Sequence, residues 1–151
     1  MNYQDNGLVP YISGPLTEIP LGVYINDIEN LYDRAAKVIK DILGVEAFVP
    51  HRQFIDPTKK ITPGDIYQTD VDQIMNRTSF LLVFGIGASW GGGGECQLAN
   101  NLGIPIFIFK PVRRPFSSYV LGMPLVQDVI EFHDFEDALE KLKNKLIDFA
   151  R

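Results

Sequence analysis

Two periods alternate along this 151-residue chain. Apolar-rich runs at 8–13 (Leu-Val-Pro-Tyr-Ile-Ser), 45–49, 80–84, 104–109 and 129–132 predict short strands, and the unbroken block 80–84 reads as one covered on both faces. Between them the apolar positions recur every three or four residues. Ile28, Leu31, Ala35, Val38, Ile39 and Ile42 predict a helix over 23–43, with Gly44 as its stop signal. Thr62-Pro63-Gly64-Asp65 has the order of an N-cap, a first-turn proline and an acidic N3 residue, and opens a helix that runs to about Arg77. Leu98, Ala99 and Leu102, closed by Gly103, predict a short helix over 95–102. A proline-rich connection (Pro111, Pro115, Pro124) precedes the last strand. The final helix, 135–150, carries Leu139, Leu142, Leu146 and Phe149 on one face.

Strands alternating with helices predict an α/β fold, a doubly wound five-stranded parallel sheet covered on both faces. Crossovers in such sheets are right-handed, and ligands bind beyond the carboxyl ends of the strands where the strand order reverses. With the order 2-1-3-4-5 that crevice lies between the first and third strands. The unusual loops converge there: Tyr11 to Gly14, Gly85 to Glu95 and, on the same edge, Pro50 to Gln53. No repeat, linker or low-complexity stretch interrupts the pattern, so one domain over 1–151 is expected.

Composition narrows the function. Apolar residues make up 46%, charged residues 22%, and the net charge is -5. The basic residues cluster only at Lys110, Arg113 and Arg114, so neither nucleic acid nor an anionic membrane is an expected partner. No apolar run reaches membrane length and no leader pattern opens the chain. The single cysteine, Cys96, cannot form an internal disulfide and fits a reducing, cytoplasmic setting. With one cysteine and two distant histidines, no metal site is expected, and no cofactor motif is complete.

The chemistry concentrates at Gly85-Ile-Gly-Ala-Ser-Trp-Gly-Gly-Gly-Gly-Glu95-Cys96. Six glycines in the ten residues 85–94 are costly to order, which suggests that backbone must approach a ligand closely. A P-loop would need Gly-Lys-Ser/Thr after the glycines, where Glu95 and Cys96 stand. The dinucleotide fingerprint would need glycine at Trp90 and a place after the first strand. Glu95 closes the run where a helix is expected to begin. It reads either as a carboxylate favoured by the helix dipole or as a nucleophile for an anomeric carbon, where positive charge develops. Asp70 lies about 40° from Ile66 around its helix, inside an apolar arc that runs through Ile74, Tyr67 and Val71. A carboxyl there is a buried cap or a proton donor to a leaving group. Tyr11 stands at the mouth of the first strand, as core or as ligand contact. Ser89 and the amides of 91–94 could hold a hydroxyl or phosphate, and Trp90 could stack on a base or pack over the loop.

These elements together resemble the nucleoside 2-deoxyribosyltransferase family. Tyr11-Ile12-Ser13-Gly14-Pro15-Leu16 is similar to that family's first-strand signature, which often reads Tyr-Leu-Ala-Gly-Pro. Asp70 with Ile74 resembles its Asp-x3-aliphatic element. Gly94-Glu95-Cys96-Gln97-Leu98-Ala99, leading to Gly103-Ile104-Pro105, resembles its Glu-Leu-Gly-x-Ala segment. The set spans most of 11–109 in the right order.

The resemblance implies a flavodoxin-like sheet and cleavage of the N-glycosidic bond of a (deoxy)nucleoside or nucleotide, with no cofactor. Glu95 would form a glycosyl-enzyme ester, Asp70 would act at the leaving base and Tyr11 would orient Glu95. Ser13, Gly14, Ser89, Trp90, Gly92 and Gly93 would bind substrate, and Gln53 would match a base-contacting glutamine across a one-residue gap. A homo-oligomer, dimer or higher, is implied, in which a neighbouring subunit completes the site. The chain also departs from the family pattern. Ser89 stands where transferases often carry an aspartate, and so resembles the deoxynucleoside 5′-monophosphate N-glycosidases. The arginine those hydrolases carry in the first loop is missing from 13–20. Base transfer, hydrolysis of 5′-monophosphates, cleavage of NAD and a non-catalytic nucleotide or ADP-ribose module all follow as alternatives.

Overall fold

Four parallel strands form the sheet: β1 (Val9–Ser13), β2 (Thr78–Phe84), β3 (Ile106–Pro111) and β4 (Val126–Phe132), in the order β1-β2-β3-β4. The computed structural model describes residues 6–17, 19–54 and 56–151, so the first five residues of the expected domain lie outside the described residues. Helices α1 (Ile25–Leu43), α2 (Pro63–Arg77), α3 (Trp90–Asn101), α4 (Ser118–Leu121) and α5 (Phe135–Ala150) connect and cover the strands. None of the described helices is long and apolar enough to cross a membrane.

The expected strand at 45–49 does not form. It is reduced to one parallel bridge, Phe48 beside Tyr11, held by Phe48 N–H donating to Pro10 C=O at 2.8 Å and Ile12 N–H donating to Phe48 C=O at 3.0 Å. Sequence supplies the reason. In a parallel ladder the next donors would be the N–H groups of residue 10 in one direction and residue 50 in the other. Both are proline, which has none. The chain crosses the β1 edge and turns into a short 3₁₀ segment over Pro50–Arg52.

Alternation along the strands divides the core in two. Ile12, Leu82, Phe84, Phe107 and Phe109 face α1 and α5, meeting Leu31, Ala35 and Ile39 on one helix and Ala138, Leu142 and Leu146 on the other. Tyr11, Leu81, Val83, Ile106 and Ile108 face the opposite way, onto Ile74 of α2, Cys96 and Ala99 of α3 and Val120 of α4. The local signals for α1 and α2 act as read. Gly44 takes φ 75° at the end of α1, and Thr62 and Asp65 complete a reciprocal capping box at the start of α2.

α3 differs from expectation. It begins at Trp90 rather than at 95, so the four consecutive glycines are helical and form no loop. Ser89 is the cap, its hydroxyl accepting from Gly92 N–H at 3.0 Å. Glycine is a poor helix former, yet a capped end tied to a buried strand overrides propensity. A Cβ at Gly93 or Gly94 would meet nothing within 4 Å, and neither takes positive φ. Gly94→Ala is therefore expected to stabilise the protein by about 0.5–1 kcal/mol, raising Tm by roughly 1–4 °C in a thermal melt. A fall in Tm would mean that these glycines are required by the fold.

Candidate active site

Four buried polar groups meet beneath the start of α3. Tyr11 and Ser13 point from β1, Asp70 from α2 and Glu95 from α3. Tyr11 is fully buried and Ser13 is 1% exposed. Because Glu95 lies one and a half turns into α3, its side chain is directed back along the helix toward the sheet, as helical geometry requires. The dipole of the first turn, expected to act on it, acts instead on residues 90–93. Phe48 stacks on the Tyr11 ring with centroids 4.9 Å apart and planes at 22°, which fixes the phenol from the other side.

Tyr11 Oη, Ser13 Oγ, Asp70 Oδ1 and Glu95 Oε2 are each enclosed without a hydrogen bond of good geometry. They are nevertheless close enough to act on one another. Burial first, and then the charge of Asp70, push the Glu95 carboxyl up to about 8, while the Tyr11 and Ser13 hydroxyls oppose that shift. Burial pushes Asp70 up to about 6, again opposed by Tyr11. Burial and the two carboxylates hold the Tyr11 phenol far above its ordinary range. Cys96 rises to about 12 through burial and the neighbouring Glu95, so it is an inert thiol. Two carboxyls in one dry pocket cannot both ionise freely, and at neutral pH the pair keeps one proton.

That pairing has a consequence for stability. Both carboxyls bind protons more tightly when folded than when unfolded. The folded state therefore holds protons that the unfolded chain has released, between pH 4.5 and about 8 for Glu95 and between 3.8 and about 6 for Asp70. Stability must fall as pH rises through this window. Glu95→Gln should flatten the decline. It should raise Tm at pH 8 by at least about 4 °C relative to wild type. Parallel melting curves for the two proteins across pH 5–8 would exclude the strained pair.

Beside this cluster lies a cavity of about 840 Å³, inside the size range of small-molecule sites. Ser13, Gly14, Ser89, Gly92 and Gly93 line it, with Trp90, 88% exposed, at its rim. Neither Glu95, Tyr11 nor Asp70 is part of its wall. The two regions share Ser13, which lines the cavity and whose hydroxyl acts on the Glu95 carboxyl. Glycine lets the walls close up. A Cβ at Gly92 would stand 3.1 Å from Ser89 Oγ and 3.5 Å from Ser13 Oγ. Gln53 lies elsewhere, exposed, with its side-chain amide donating to Val49 C=O at 3.2 Å.

The expected inward arc of α2 is only half right. Ile66 and Tyr67 are 44% and 68% exposed, and the covered face runs instead through Gln73 and Ile74. Asp70 borders that face, so its carboxyl is drawn in while the first turn stays out. Sequence reasoning also missed the far wall of the cavity. Arg114 and Phe116 come from the connection between β3 and α4, and Tyr119 from α4 itself. A basic and aromatic sequence, Arg113-Arg114-Pro115-Phe116, directly beyond a buried strand was the available signal. Phe116 packs where a Cβ on Gly85 would sit, 2.4 Å from its ring, and so closes the end of β2.

No family model matches the chain, and no curated protein does. Solved structures do. A CMP N-glycosidase of Clostridium botulinum aligns with a TM-score of 0.66 at 14% identity, covering 90% of this chain and 98% of its own. A conserved protein of Enterococcus faecalis gives 0.65 at 17% identity, covering 91% and 98%. A 2-deoxyribosyltransferase of Bacillus psychrosaccharolyticus gives 0.59 at 16% identity, covering 88% and 94%. The chain shares its fold, over nearly its whole length, with structures that include a nucleotide N-glycosidase and a 2-deoxyribosyltransferase.

Proposed function

We propose that this protein cleaves the N-glycosidic bond of a (deoxy)nucleoside or nucleotide through a glycosyl ester on Glu95, and passes the sugar to another base or to water. The observation that carries the reading is the pairing of Glu95 with Asp70 around the Tyr11 hydroxyl, next to a cavity of nucleotide size. The fold shared with a CMP N-glycosidase and a 2-deoxyribosyltransferase supports it.

In the resting pair the proton resides on Glu95, the weaker acid of the two. Its transfer to Asp70 leaves an ionised nucleophile and a protonated acid without changing the net charge of the site. The Glu95 carboxylate then attacks C1′, the C1′–N bond breaks, and its electron pair leaves with the base, which takes the proton from Asp70. Developing positive charge on the sugar favours the carboxylate in the transition state. An incoming base or water attacks C1′ in the second half, releases Glu95 and returns the proton. Two displacements retain the anomeric configuration. Tyr11 positions Glu95, and a homo-oligomer in which a second copy covers the open rim completes the site.

Incubation with deoxyadenosine and free cytosine, followed by chromatography, tests the reading. New deoxycytidine means transfer, and free sugar means hydrolysis. A panel of 5′-monophosphates and NAD extends the test. Tight nucleotide binding with no product from any of these would favour a non-catalytic module instead.

A further inference from the structure

We propose that the first turn of α3, residues 90–94, is a gate between the cavity and Glu95. Its four glycines keep the turn close to unwinding, and only the unwound turn lets a sugar held in the cavity meet the Glu95 carboxyl. The inference rests on the glycosidic reading for the sugar, but not for the opening itself.

The walls put this turn between the two. Gly92 and Cys96, one turn apart on α3, line the cavity, as do Gly93 and Gly94. Glu95 lies about 60–100° round the helix from the Gly92–Cys96 stripe, on the side it shares with Gly91. Neither Gly91 nor Glu95 lines the cavity, and a Cβ on Gly91 would stand 3.7 Å from Glu95 Oε1, so the acidic side chain folds back along the turn. The passage beneath is closed as well. A Cβ on Gly92 would stand 3.1 Å from Ser89 Oγ and 3.5 Å from Ser13 Oγ, which leaves no width for a sugar ring. Two enclosed polar groups nevertheless lack a partner at this boundary. Ser13, a cavity residue 1% exposed, holds a hydroxyl with no hydrogen bond among the described residues, and Glu95 Oε2 is equally unpartnered.

The turn is built to open. Space does not require glycine at 93 or 94, where a Cβ would meet nothing within 4 Å among the described residues, and none of the four glycines takes positive φ. What they share is a weakening of the helix. Each glycine lowers the population of the wound turn by roughly 2- to 5-fold relative to alanine. Gly92 N–H donates to Ser89 Oγ at 3.0 Å and Gly93 N–H to Ser89 C=O at 3.0 Å, while Trp90, the one large side chain of the turn, is 88% exposed. Further along, α3 is anchored by Cys96 and Ala99, both buried against the sheet. The first turn can therefore unwind locally while the core stays folded.

The test compares wild type with Gly94→Ala and with the double variant Gly93→Ala/Gly94→Ala. Alanine favours the wound turn, and an equilibrium gate lowers kcat/KM in proportion to the open fraction. In the double variant, kcat/KM on the best substrate of the panel should fall by roughly 5- to 30-fold although Tm rises. Hydrogen exchange at the amides of 92–95, corrected for intrinsic rates, should slow by the same factor. A fall in kcat/KM without slower exchange would mean that the methyl groups obstruct the cavity, and overturns the gate. Slower exchange with kcat/KM within about twofold of wild type overturns it too, and leaves the glycosidic reading standing. Wild-type amides at 92–95 as protected as those of β2 overturn it without any variant. If nothing turns over, chemical labelling decides. Coupling of Glu95 to glycine ethyl ester by a water-soluble carbodiimide is read by mass spectrometry against the exposed Glu140. A fall of roughly 5- to 30-fold in the double variant upholds the gate while the glycosidic reading falls. Labelling indifferent to the substitutions overturns the inference.

Discussion

Alanine in place of Glu95 is expected to lower kcat/KM for N-glycosidic cleavage by at least about a thousandfold, while the folded protein becomes more stable. Two independent quantities move in opposite directions, which separates loss of a nucleophile from loss of structure. The carboxyl is held in a dry pocket against Asp70, so the resting protein is destabilised by keeping it. The same burial strips water from an attacking oxygen and sharpens its interaction with a charge-deficient C1′. Without it, water must displace the base directly, with no covalent intermediate to divide the barrier. Initial rates by chromatography on the best substrate of the panel, together with intact-protein mass spectra after acid quench, make the comparison. The wild type should show a sugar adduct that Glu95→Ala lacks. Activity within tenfold of wild type in the variant would remove Glu95 from the chemistry.

Substitution of Gly14 by alanine should destabilise the fold by about 3 kcal/mol, lowering Tm by roughly 6–12 °C. The added Cβ would fall 2.1 Å from Tyr32 Oη and 2.8 Å from its Cζ, with Phe84 C=O at 3.2 Å on another side. Tyr32 cannot swing away cheaply. It is 1% exposed, its ring lies 5.7 Å from that of Phe84, and its hydroxyl donates to Pro15 C=O at 3.0 Å. Removing that hydroxyl with Tyr32→Phe should rescue part of the loss in the double variant, because the shortest clash goes while the ring remains. Additive effects in the two single variants and the double would show that the clash is relieved elsewhere.

Much of this architecture could be read from the chain because its elements are locally consistent. The stripe through Ile28, Leu31, Ala35 and Ile39 and the Thr62–Asp65 capping box each specify their helix without help from distant residues. Two errors came from tertiary override. The glycines at 91–94 read as a loop on propensity, but the Ser89 cap and the packing of Cys96 and Ala99 against the sheet draw them into α3. The apolar arc beginning at Ile66 suggested an inward first turn on α2, but Ile66 and Tyr67 stay in solvent. Of the site, Tyr11, Asp70 and Glu95 could be singled out because a polar group at an inward position is conspicuous. Arg114 could not, since it lines the cavity from the connection between β3 and α4 and belongs to no period or motif.

Pro10 and Pro50 reach beyond the length of one bridge. An open sheet margin with a full row of amide donors and acceptors is a template on which another chain can add a strand, and so a starting point for aggregation. Here Pro10 removes one donor from the β1 margin, and the segment through Phe48 occupies the place beside it. The proline that helps to limit this margin to a single bridge also shortens the template it offers to a foreign strand.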